Sequence, residues 1–154
     1  MLLNDEVELL RRLPLFAGVS PAKLKLLAFT SDRIKFDAGR ELFKQGDAGD
    51  AAYVVLSGNA DVLVNTDSGE IKVATVNPSE LVGDIAILCD VPRTATVRAA
   101  TPLLTLRIKK EHFLKLLSDF PEMTVEIMRV LAVRLSRTTA ELSEARSKLA
   151  HRIH

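Results

Sequence analysis

The chain has 154 residues, 47% hydrophobic and 27% charged, which suits one globular domain with a proper core and excludes two large ones. A formal net charge of +1 exerts no general pull on nucleic acid or on an anionic membrane, so a bound anion must be held locally. The single cysteine, Cys89, excludes an intrachain disulfide framework, and no apolar run is long enough to span a bilayer.

The N-terminal stretch MLLNDEVELLRRL carries acidic residues where a secretory signal is basic, and it has no small-residue cleavage site. A cytoplasmic protein without a membrane partner is the expectation. Val7, Leu9, Leu10 and Leu13 recur at helical spacing behind an Asn/Asp start. SPAKLKLLAF follows, with Ser20 as N-cap and Pro21 at the first helical position, where its missing N–H costs nothing. The period then changes. From about Ile34 to Ile108 the chain breaks into RIKF, ELFK, AAYVVLSG, ADVLVN, EIKVATV, TATVRAA and LLTLRI, separated by turn clusters such as QGDAGD, SGN and TDSG. Many short strands at regular spacing predict an antiparallel sandwich or barrel of the jelly-roll (double-stranded β-helix) kind. KKEHFLKLLSDF returns to helical spacing, and from Pro121 to about Ala150 no glycine or proline interrupts a long final helix. The expected fold is α+β and a single domain over 1–154: helices over about 4–29, a β core over about 30–108, and helices over about 109–150.

Between two of these strand runs lies GDIAILCDVPRTATV, residues 83–97. Gly83 allows a tight turn into a short helix, whose first amides, those of Ile85 and Ala86, are free to donate to an anion. Arg93 is able to pair with a phosphate through two parallel hydrogen bonds. Asp84 would repel that phosphate unless it accepts a hydrogen bond from a neighbouring hydroxyl, such as a ribose 2′-OH. A cyclic nucleotide offers the phosphate, the hydroxyl and an aromatic base together. Against it stands the plain alternative that Asp84 and Arg93 pair with each other on the surface, where such pairs are common and weak.

The order of residue types favours the ligand. The stretch resembles the phosphate-binding cassette of the cyclic nucleotide-binding domain family, with Gly83, Ile85, Ala86, Pro92, Arg93, Thr94, Ala95 and Val97 matching its pattern. GDAGDAAYVVLSGNADV (46–62) looks like the family's Gly-rich turn and aromatic-containing strand, and LPLFAGVSPAKLKLL looks like its N-terminal helical portion. The resemblance runs from about Leu13 to Ala150. It implies that Arg93 pairs with the cyclic phosphate, with the amides of Ala86 and Thr94 as neutral donors. It likewise implies that Asp84 accepts from the 2′-OH and that Gly83 permits the close backbone approach. Asp84 stands where the family usually has Glu, one methylene longer, so its contact is expected to be longer or bridged by water.

By the same resemblance, Thr94 is compatible with both cAMP and cGMP. Met128, Leu131, Leu135, Thr138, Leu142, Ala145 and Leu149 alternate at spacings of three and four, the seam of a two-stranded coiled coil. The first turns, around Val125 and Met128, are expected to pack back on the β core. Beyond about Leu135 the helix outruns a small domain, so a partner copy through 121–150 is expected. RLSRTTAELSEA is similar to the dimer helix of catabolite-activator-type regulators, and by that resemblance Thr138 and Thr139 contact the base and favour cAMP over cGMP.

The rival readings are weaker. A metal-dependent cupin enzyme needs histidines and acids converging from strands. Here His112, His151 and His154 lie in helical or tail segments, so neither a metal nor an enzymatic role is expected. Cys89 reads as packing in an apolar run rather than as a reactive thiol. A DNA-binding regulator carries a helix-turn-helix after its long helix; no such pattern falls within these residues, so no nucleic-acid contact is expected in them. The chain reads as a sensor of a cyclic nucleotide. It stands alone, or belongs to a larger regulator, channel or transporter, or is a dimerisation module whose cassette is empty.

Overall fold

Two helices precede the strands in the computed structural model, which describes residues 2–153, with side chains from 7 to 151. His154 of the sequence reading therefore lies outside the described residues. α1 (Leu2–Arg12) begins slightly before the expected Asn/Asp start and ends on Arg11 and Arg12, where cations suit a helix C-terminus. A 3₁₀ turn, Pro14–Phe16, leads to α2 (Pro21–Thr30). Ser20 caps α2 as expected, its hydroxyl accepting from the Lys23 amide at 3.4 Å.

Eight strands are found among the described residues: β1 (Asp32–Phe36), β2 (Glu41–Phe43), β3 (Ala51–Ser57), β4 (Ala60–Thr66), β5 (Gly69–Val76), β6 (Leu81–Val82), β7 (Thr96–Ala99) and β8 (Leu103–Lys109). They form two four-stranded antiparallel sheets, ordered β1-β8-β3-β6 and β2-β7-β4-β5. This is the expected jelly-roll arrangement of two facing sheets. Seven strands coincide with the runs seen in the sequence. The eighth, β6, is two residues long and has no periodicity to betray it.

β3 explains why the layers hold together. Its run AAYVV is buried on both faces. Ala51, Tyr53 and Val55 point between the sheets, beside Val97, Ala99 and Leu103. Ala52 and Val54 point the other way, into a cluster with Phe16, Leu24, Leu106, Ile108 and Phe113 from the helices and β8. Period two on a strand covered on both sides gives a continuous apolar run rather than an alternating one. Phe16, Leu24 and Phe113 are fully buried, each contributing roughly 1.5–3 kcal/mol over an exposed side chain.

α3 (Asp84–Leu88) is the short helix expected after Gly83, and α4 (Lys110–Asp119) and α5 (Pro121–Ile153) close the chain. At 33 residues α5 is about 50 Å long, more than the β core can cover. One expectation about its first turns is corrected. Val125 and Met128 are 51% and 63% exposed; the residues packing on the core are Met123, Ile127 and, in part, Leu131. The turn at Phe120, whose amide donates to Leu116 O, sets the rotational phase of α5, and apolar spacing alone does not reveal that phase.

Candidate functional site

Gly83 caps α3 in the left-handed region at φ +86°. A Cβ there would lie 2.7 Å from Arg93 Nη1 and 3.2 Å from both Ala51 O and the Phe43 ring. Backbone conformation and space thus both demand glycine, and the reason for the space is the arginine.

Arg93 is buried to 3% exposure, unusual for an arginine. Nη1 donates to Gly83 O at 2.7 Å and Nη2 to Ala51 O at 2.6 Å. The guanidinium lies over the Phe43 ring, 4.0 Å from its centroid, and Asp50 reaches to 3.6 Å. Its backbone is pinned by Arg93 N to Asp47 O (2.7 Å) and by Gly46 N to Arg93 O (2.8 Å). Burial pulls its pKa below the ordinary value, against the pull of Tyr53, Asp50 and Asp47, and an arginine so shifted remains a cation. Nε is buried without a hydrogen-bond partner among the described residues. A positive charge held this rigidly, with a donor left over, is organised to receive an anion.

Asp84, 2% exposed, opens α3 beside it. Asp84 and Arg93 do not pair with each other. The neighbour of Asp84 is Arg134 of α5, whose Nη1 lies 3.7 Å from the carboxylate while Nη2 donates to Leu81 O at 2.6 Å. Burial pushes the Asp84 carboxyl up from its ordinary pKa; Arg134 and the amides of Asp84 and Ile85 oppose the shift without cancelling it.

Gly83, Asp84, Ile85, Ala86, Arg93, Thr94 and Ala95, all singled out in the sequence, line one cavity together with Phe43 and Arg134. Its volume is ≈ 60 Å³, about that of two waters in the liquid, so it accommodates a phosphate-sized group and leaves the rest of a larger ligand to extend beyond it. Thr138 and Thr139 do not line it; they are exposed on α5, one turn beyond Arg134. Phe43 and Arg134 were not anticipated. For Arg134 the signal was its place four residues before Thr138, hence on the same helical face. Among the described residues no cluster of three or more metal-ligating side chains occurs, and no helix is long and apolar enough to cross a membrane.

Residues 33–120, more than half of the chain, match the family described as the cyclic nucleotide-binding domain. The chain belongs to that family. Among relatives of this cyclic nucleotide-binding domain, a CRP-like cAMP-activated global transcriptional regulator of Mycobacterium tuberculosis is 28% identical over 138 residues, 89% of the chain and 62% of the regulator. A cAMP-dependent protein kinase regulatory subunit of Emericella nidulans is 34% identical over 70% of the chain and 26% of the subunit. The chain therefore spans under two thirds of the first and about a quarter of the second. In three dimensions it is similar to the sensor domain of the transcriptional regulator DNR from Pseudomonas aeruginosa, with a TM-score of 0.78, 26% identity, and 91% and 95% of the two chains covered.

Proposed function

We propose that the domain is a regulatory sensor that binds a cyclic nucleotide, cAMP in preference to cGMP, and is not itself an enzyme. The observation that carries the reading is the buried Arg93 guanidinium, held by Gly83 O and Ala51 O with Nε unpartnered, at the edge of a phosphate-sized cavity. Arg93 pairs with the cyclic phosphate, with the amides of Ala86 and Thr94 as further donors. Asp84 accepts from the 2′-OH, and Gly83 and Ala95 give room. Ribose and base extend beyond the cavity toward α5, where Thr138 and Thr139 contact the base. Relatives described as cAMP-activated and cAMP-dependent support the choice of cAMP.

The ribose and Arg134 compete for one carboxylate. A nucleotide that takes Asp84 favours whichever placement of α5 releases Arg134, and it shifts α5 only by its differential affinity for the two placements. Two copies joined through 121–150 convert that shift into an assembly signal. Calorimetric titration with cAMP and cGMP tests the reading. Saturable heat is expected with cAMP, weaker with cGMP, and Arg93→Ala greatly weakens both. Absence of heat with either nucleotide would leave a dimerisation module with an empty cassette.

A further inference from the structure

A second and larger cavity, ≈ 340 Å³, lies on the far side of the Asp84–Arg134 contact, between the 3₁₀ turn, the segment entering β6, and the early turns of α5. That volume lies within the range of small-molecule pockets. Its apolar wall is Leu15, Leu81, Ile127 and Val130. Its charged groups are Glu80, Glu126, Asp84 and Arg134.

The charges are unbalanced in a way that selects an occupant. Arg134, the one cation lining the cavity among the described residues, already donates to Leu81 O and faces Asp84. Glu126 is paired with Arg129 at 2.9 Å, but Arg129 is 68% exposed and such a helical surface pair is weak. Among the described residues the Glu80 carboxylate accepts a hydrogen bond only from the exposed amide of Asn77, at 2.9 Å. Carboxylates thus outnumber the guanidinium, and a phosphate placed here would meet repulsion. The nucleotide site has the opposite sign, centred on Arg93.

We propose that this chamber is a second small-molecule site, for a compact apolar or aromatic body bearing a single amino group. The body covers Leu15, Leu81, Ile127 and Val130, and the ammonium sits between Glu80 and Glu126. An occupant touches the β core on one side and α5 on the other. It therefore fastens α5 in the placement where Arg134 faces Asp84.

The test uses the full chain without nucleotide, so its outcome is independent of whether cAMP binds. Tryptamine is titrated while amide resonances are followed by two-dimensional NMR, with indole-3-propionate as the equal-sized acid. Saturable shifts centred on Leu15, Leu81, Ile127 and Val130 are expected, with the acid binding about tenfold or more weakly. Val130→Trp, at a position 38% exposed and so tolerant of bulk, fills the chamber and abolishes the shifts. Glu126→Gln weakens tryptamine and does not weaken indole-3-propionate. Shifts that do not saturate at millimolar tryptamine, that persist in Val130→Trp, or that are matched by the acid overturn the proposal.

Discussion

Arg93 and Asp84 carry opposite charges into the same wall, and burial acts on them differently. Arg93 is satisfied by two carbonyls and an aromatic face, so it supports the fold in addition to the ligand role proposed for it. Arg93→Ala removes the side-chain donor to both Gly83 O and Ala51 O and is expected to cost on the order of 2–3 kcal/mol in urea unfolding. Arg93→Lys keeps the charge but not the fork, and should recover only part of that loss. Asp84 behaves in the other direction. Its folded pKa lies above its ordinary 3.8, so the native state holds this proton to higher pH than the unfolded chain does. The stability it contributes is full below the unfolded pKa and is lost as pH rises through the raised folded value. Asp84→Asn escapes that loss. Its melting temperature should exceed the parent's at pH 7, by roughly 2–4 °C per kcal/mol recovered, and the gap should close as pH falls toward 3.8. A lower melting temperature at pH 7 would mean that the Arg134 contact outweighs burial. The same substitution should weaken cAMP, since an amide is a poorer acceptor for the 2′-OH; stability and binding then move in opposite directions, as expected of a site that stores an unfavourable charge.

At the scale of elements, the cassette depends on how closely α3 is seated. Gly49, in the loop before β3, has no strained φ, yet a Cβ there would lie 2.5 Å from Ala86 Cβ and 3.3 Å from Ala86 C. Two small residues in contact set the distance between that loop and α3. Gly49→Ala should push α3 outward, lowering stability by about 1–3 kcal/mol as an overpacked contact, and weakening cAMP because the Ala86 amide moves with it. Equal affinity in parent and variant by calorimetry would show that α3 adjusts without cost to the site. This element was legible in the sequence because all its parts fall within 83–97, where the order of residue types is itself the signal. The rest was hidden for physical reasons. Arg134 joins the site from a helix far along the chain, and an arginine on a polar helical surface reads as solvated. Phe43 lies in a strand of three residues, and its role under Arg93 depends on a sheet pairing with β7 that spacing does not encode. Val125 and Met128 fit an apolar period as well as Met123 and Ile127 do. Only the turn at Phe120 decides which pair faces the core, and it is a tertiary feature.

For the whole molecule the question is what covers α5. Met128, Leu135, Leu142 and Leu149 recur every seven residues and are 63%, 68%, 52% and 58% exposed. An isolated exposed leucine needs no explanation, but four in one heptad row along a helix make the stripe that a second helix covers. Thr138 lies between them, and a polar residue in such a seam lowers stability while fixing register. Leu135 immediately follows Arg134, so a partner helix against Leu135 constrains the residue that faces Asp84. Assembly and ligand are then linked through adjacent positions on one helix, and the linkage must be reciprocal. Sedimentation equilibrium of the full chain should show a dimer that cAMP strengthens or weakens, while Leu135→Glu places a charge in the seam and yields monomer. If the base is held by one threonine of the Thr138/Thr139 pair from each copy, the monomeric variant should still bind cAMP through Arg93 but with altered affinity. If parent and Leu135→Glu sediment identically as monomers with and without cAMP, the exposed row serves some other contact, and binding at the cassette is not coupled to pairing of α5.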